Sequence, residues 1–382
     1  MVNRIQGRHY KTLEPIRLEI SDGMISKLEK IEDSISNRLI APGLVDLQIN
    51  GFQGVDFNEQ ETIKDDVKQA TESLWKSGVT TYFPTLITNS KANISQSIRT
   101  IVQACTSDLL INNTIQGIHL EGPFLSKETG PRGAHPIEYI QAPDWELFCN
   151  WQEQAEGKIK LLTMSPEWPG SVEFIWKCAD SGVKVAIGHT AATPMQIKNA
   201  VEAGATLSTH LGNAAHLMLP RHTNYIWEQL AHDNLWTSII ADGFHLPEAV
   251  LKVVFKVKPK TSFLVSDSTK FAGLVPGSYQ SPIGGEVELD QNGRLYLKNE
   301  PGLLAGSAKS LLNCVEYLVS SQVLTLSDSL DRASFKPMQY LNIHSINGLQ
   351  VGAPADLMVF EQKGSKLEVF QTVKSGQTVY SV

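Results

Sequence analysis

The chain has 382 residues, 42% of them hydrophobic and 19% charged, with a net charge of −7 at pH 7. That apolar content excludes disorder as the main state, the absence of a basic cluster excludes a general nucleic-acid binder, and no run reaches the ~20 apolar residues that span a bilayer. Four scattered cysteines (Cys105, Cys149, Cys178 and Cys314) form no CxxC pair, which excludes a disulfide framework and a thiolate zinc site.

In chain order, residues 1–40 read as short strands. Ile16, Leu18 and Ile20 alternate with Arg17 and Glu19, and Asp22-Gly23 supplies a turn. Strands and helices then alternate. Strands are expected at 39–49, 80–83, 115–120, 160–164, 184–187, 207–211, 238–241 and 262–265. Helices are expected at 65–77, 94–106, 171–181, 194–203, 247–255, 311–320 and 325–333. Strands at 356–360, 367–373 and 377–382 end the chain. About eight β-then-α units fit an α/β fold, a (β/α)8 TIM-like barrel. No GxGxxG opens a helix after the first strand, which disfavours a dinucleotide-binding sheet. The expected organisation is a barrel over 41–350 and a small β-sandwich domain built from 1–40 and 351–382. The polar N-terminal stretch carries no signal-peptide core, so a cytoplasmic protein with no membrane partner is expected.

Glu121, His189, His210, His245 and Asp267 each close a predicted strand. In a barrel those ends meet on one face. A single His or Asp there is more simply a turn or capping residue. Five of them point to a site, because a buried charge or imidazole is costly unless paired or metal-bound. Two histidines and one carboxylate suit a hydrolytic zinc site, with a position left open for water. A carboxylate outside that set can act as general base and then acid, and Asp267 suits the role. His135, in the loop Gly130-Pro131-Arg132-Gly133-Ala134-His135, is either a donor to a developing oxyanion or a surface loop residue.

The ordered motifs GIHLEGPFL (117–125), GAHP (133–136), GHTAA (188–192), STHLGNAA (208–215), ADGFH (241–245), LVSDS (264–268) and LLAGSA (303–308) resemble those of N-acetylglucosamine-6-phosphate deacetylases of the amidohydrolase superfamily. APGLVDLQINGFQGVDF (41–57), GVTTYFPTL (78–86), SPE (165–167) and GAPADLMVF (352–360) extend the resemblance from about Ala41 to Asp356. It implies that Glu121, His189 and His210 hold the metal and that Asp267 is the catalytic acid/base. It implies that Ala134, His135, Asn213 and Ala214 contact substrate, with His135 near the amide carbonyl. Arg221 and His245 match groups on the phosphate side, and Leu304, Ala305 and Gly306 a loop lining the sugar site. Family members are commonly homodimers, in which this arginine reaches the neighbouring subunit's site.

Where many amidohydrolases carry HxH, this chain reads Gln48-Ile49-Asn50. Neutral amides are weak ligands for a transition metal, so one divalent ion, zinc or ferrous iron, is expected. His119 is either a partner behind the ligands or a satisfied core histidine. The segment 211–227 departs from the family. Gly212 stands where a bulky aromatic is usual, and Arg221 leads into His222-Thr223-Asn224-Tyr225 where Pro-Gly is usual within two residues of the arginine. His216 and His222 are either added donors or surface residues. The expected reaction is hydrolysis of the acetamide of N-acetyl-D-glucosamine 6-phosphate to D-glucosamine 6-phosphate and acetate. The alternatives are deacetylation of a different N-acyl amino sugar, with or without a phosphate, and, more remotely, a non-catalytic sugar-phosphate sensor.

Overall fold

Short, β-branched, apolar runs separated by longer amphipathic segments give parallel strands with helical crossovers. In the computed structural model, which describes residues 4–32, 37–281, 285–343 and 346–382, eight such strands pair parallel in sequence order. They are Leu44–Ile49, Val79–Ile87, Ile118–Glu121, Ile159–Met164, Lys184–Ile187, Ala205–Ser208, Trp236–Ile239 and Ser262–Leu264. A parallel bridge from Ile49 to Ser268, with Asp267 N donating to Gln48 O at 2.9 Å, brings the last strand back to the first. An apolar cluster drawn from around the barrel includes Val45, Leu47, Phe83, Leu161, Ala186, Leu207 and Phe263. Tyr340 joins it, bonded to Thr206 at 3.0 Å and packed on Trp236 and Phe263, so the helix Phe335–Leu341 plugs the end where the strands begin.

The expected single strand 39–49 is two strands. Leu39–Pro42 belongs to a flanking sheet and Leu44–Ile49 to the barrel, and Gly43 divides them. Gly43 N donates to Asp356 O at 2.9 Å, and a Cβ on Gly43 would lie 2.2 Å from the Thr80 side chain. Only glycine fits that crossing. The flanking sheet has seven strands from both chain ends. Leu39–Pro42 lies at its centre, parallel to Arg4–His9 and antiparallel to Leu357–Lys363. The buried Lys374 ammonium fastens this sheet to the barrel, with Asp356 Oδ2 at 2.6 Å and Thr81 Oγ1 at 3.3 Å.

A third sheet was not anticipated. Gly277–Ser281, Gly285–Leu289, Leu295–Leu297 and Glu300–Leu304 form an antiparallel insert after the last barrel strand. It packs a small core of Phe271, Val287, Leu289, Leu295 and Ala308. Helices Leu109–Thr114, Trp145–Gln154 and Tyr225–Ala231 also lay outside the expected set. The expected helix 94–106 begins earlier, as Lys91–Ser107, because Ser90 Oγ caps it by accepting from Asn93 N at 3.2 Å. Among the described residues, no helix is long and apolar enough to cross a membrane.

Candidate active site

The strand ends deliver their polar residues to one mouth of the barrel. Glu121 ends Ile118–Glu121, and His189, His210 and Asp267 follow Lys184–Ile187, Ala205–Ser208 and Ser262–Leu264. These last three have φ of 48°, 28° and 48°. Such left-handed backbone is uncommon for residues with a Cβ and concentrates at functional sites.

Three atoms able to bind a metal converge there. Glu121 Oε1 lies 3.3 Å from His189 Nε2 and 3.1 Å from His210 Nε2, and the two nitrogens are 3.2 Å apart. His189 Nδ1–H donates to the Pro131 carbonyl at 3.0 Å, so its Nε2 presents a bare lone pair. A tetrahedral ion with bonds of about 2.0–2.1 Å has ligand-to-ligand edges of about 3.3 Å. Lone pairs facing at this spacing repel unless positive charge sits among them, and these residues fit a metal ion. In the metal-free protein burial opposes charge on Glu121, but the two imidazoles, where they take up protons in place of an ion, outweigh it and hold the carboxyl well below its usual range. Burial also opposes charge on His210, yet Glu121 raises its affinity for a proton.

Asp267 stands outside this trio. Asn50 Nδ2 donates to Asp267 Oδ1 at 2.7 Å, and Gln48 Nε2 donates to Glu121 Oε1 at 2.9 Å. The two amides thus serve the carboxylates as hydrogen-bond donors. Burial, and next the Glu121 charge, push the Asp267 carboxyl up to about 6. His135 Nδ1 lies 2.9 Å from Thr88 Oγ1, and its ring meets His189 edge-on at 4.4 Å. Burial, the largest influence, holds His135 neutral, down to about 3. His245 Nδ1–H donates to Asp242 Oδ2 at 2.6 Å, and Asp242 Oδ1 accepts the Phe244 and His245 amides.

The structure brings nearly all the expected residues together. A cavity of about 310 Å³ is lined by Glu121, Ala134, His135, His189, His210, Asn213, Ala214, His245, Asp267, Leu304, Ala305 and Gly306. Arg221 is the exception: it is exposed and lies outside the cavity of its own chain. His119 is a satisfied interior histidine, 2.7 Å from Thr163 Oγ1, and burial lowers it to about 4. His216 pairs with Glu128 at 2.9 Å and with the Tyr225 hydroxyl at 3.0 Å, and His222 is exposed.

Other contributors escaped the sequence. Asp56, Asn58, Thr269 and Phe271 line the cavity. Asp46 accepts the Ser266 amide beneath Asp267, and burial raises its carboxyl to about 7. Glu167, within the SPE motif, accepts Ser126 Oγ at 2.9 Å, Ser165 Oγ at 2.7 Å and Ala191 N at 2.8 Å. Ser126 N in turn donates to His189 O, so Glu167 ties down the loops around that histidine. Glu167→Ala is expected to cost about 2–3 kcal/mol, since it strands several donors. Metal affinity should fall about 10- to 100-fold, as when a partner behind a ligand is lost. Chemical denaturation and metal titration check the two effects.

The amidohydrolase family matches over residues 39–382. An N-acetylglucosamine-6-phosphate deacetylase of Bacillus subtilis (strain 168) is 32% identical, over 94% of this chain and 92% of its own. One from Danio rerio is 32% identical, over 90% of this chain and 85% of its own. Among solved structures, N-acetylglucosamine-6-phosphate deacetylase from Pasteurella multocida matches with a TM-score of 0.86 at 26% identity, covering 98% of this chain and 99% of that one. The chain therefore belongs to the amidohydrolase family and, within it, to the N-acetylglucosamine-6-phosphate deacetylases.

Proposed function

We propose that the chain hydrolyses the acetamide of N-acetyl-D-glucosamine 6-phosphate, releasing acetate and D-glucosamine 6-phosphate. The observation that carries this reading is the trio Glu121, His189 and His210 with a separate, buried acid, Asp267, at the same cavity. Glu121, His189 and His210 would hold one divalent ion, zinc or ferrous iron, both of which accept this donor set. Such an ion acidifies a water and polarises the amide carbonyl. Asp267, fixed through Oδ1 by Asn50, takes the proton of the attacking water and returns it to the leaving amine. His135 donates to the amide oxygen as negative charge gathers there. With Gln48 and Asn50 donating to the two carboxylates, the HxH place offers no imidazole to a second ion, which supports a single-metal site.

The phosphate needs a cation, because a buried dianion without one is costly. No lysine or arginine lines the cavity among the described residues. Arg221 sits on an exposed loop beside Leu217 and Met218, which are 95% and 88% exposed. A homodimer that covers this apolar pair and carries Arg221 into the neighbouring cavity accounts for both observations. Arg221→Ala is then expected to cut kcat/KM for the 6-phosphorylated sugar about 10- to 100-fold and to leave the unphosphorylated sugar unaffected. A substrate panel with and without the phosphate measures the ratio. An unchanged ratio would favour the second reading, deacetylation of an unphosphorylated N-acyl amino sugar, which the missing cation also supports. Four free cysteines, three of them buried, support a reducing, cytoplasmic setting.

A further inference from the structure

Thr88 follows the strand Val79–Ile87 and is buried. Its hydroxyl lies 2.9 Å from His135 Nδ1 and has no other hydrogen-bond partner among the described residues. Gly122 closes in beside it: a Cβ there would lie 2.2 Å from Thr88 Oγ1. Two proton arrangements fit the contact. If Nδ1 carried the imidazole proton and donated it, the threonine hydrogen would be buried without an acceptor, which is costly. If the hydroxyl donates to Nδ1, that hydrogen is satisfied and the imidazole proton resides on Nε2. His135 Nε2 has no protein partner among the described residues, and the ring lines the cavity.

The neighbouring imidazole is set the opposite way. The Pro131 carbonyl can only accept, so His189 carries its proton on Nδ1 and presents a lone pair. Two rings 4.4 Å apart thus receive opposite tautomers from their partners, one suited to a cation and one to an oxygen.

We propose that Thr88 is a positioning residue: its hydroxyl fixes His135 as the Nε2–H tautomer and so aims a hydrogen-bond donor at the amide oxygen of the substrate. This rests on the donor role given to His135 above. Thr88→Val keeps the side-chain shape and removes the hydroxyl. It is expected to lower kcat about 10- to 100-fold with KM, metal content and melting temperature unchanged. Thr88→Ala should match that loss, and Thr88→Ser, which keeps the hydroxyl, should restore most of the turnover. His135→Ala removes the donor itself and should cost about 10²- to 10³-fold. Adding Thr88→Val to it should cost little more, because Thr88 acts through His135. Thr88→Val at the parent rate while His135→Ala is slow would overturn the proposal, as would losses that multiply in the double variant. His135→Ala at the parent rate would instead overturn the donor role beneath it.

Discussion

Asp267→Asn is expected to lower kcat by about 10²- to 10⁴-fold, the range for loss of a general acid–base group. The substitution keeps an oxygen for the Asn50 amide, which now reaches Asp267 Oδ1 at 2.7 Å, so the turn should stay in place. It leaves Glu121, His189 and His210 untouched, so metal content should equal that of the parent. The pH profile gives a second readout. Asp267 must be ionised to accept a proton, and in the metal-free protein burial raises its carboxyl to about 6. A bound cation nearby favours the ionised form and lowers that value. The kcat/KM of the parent should therefore fall about tenfold per pH unit on the acid side, along a limb at or below about 6. Asp267→Asn should lack that limb. Pre-steady-state and steady-state assays across pH, on metal-quantified protein, check both expectations.

Glu121→Ala should have the second largest effect, through the metal. Glu121 supplies the negative charge among the three converging ligand atoms, and two neutral imidazoles alone make a poor cage for a divalent ion. The loss of metal affinity should exceed the about 10- to 100-fold typical of partners behind the ligands. Turnover should fall to the level of chelator-treated parent. A thermal readout separates metal loss from damage to the fold. Metal at 100 times its dissociation constant stabilises the parent by about 2.7 kcal/mol, and Glu121→Ala should show no such gain. The variant also strands the Gln48 amide, which costs about 1–3 kcal/mol even without metal. In the parent, protons compete with the metal at His210, so affinity should weaken as pH falls.

Much of the site was legible because of where its residues stand. Glu121, His189, His210 and Asp267 each interrupt an apolar run at the end of a strand, and barrel geometry turns that linear regularity into one mouth. The alternation that marks a strand cannot show which sheet the strand joins. The division at Gly43 depends on the distant Thr80 and Asp356, so 39–49 read as a single element. The four-stranded insert was missed because its strands are short and polar and bury only a handful of apolar side chains. Thr88 and Glu167 were invisible as functional residues for a related reason. A hydroxyl or carboxylate gains meaning from the partner it meets, and apart from Ser165 those partners are 47 and 24 to 41 residues away in sequence. Arg221 shows the reverse case: a motif match located it in the chain, but its own fold leaves it outside its own cavity.

The most direct test quantifies acetate and free amino sugar released from N-acetyl-D-glucosamine 6-phosphate by protein whose metal content per chain is known. Equal amounts of the two products are expected, with a rate that rises in proportion to metal and levels off at one ion per chain. Protein carrying one ion per chain that releases neither product, or a rate that keeps rising toward two ions, would contradict it.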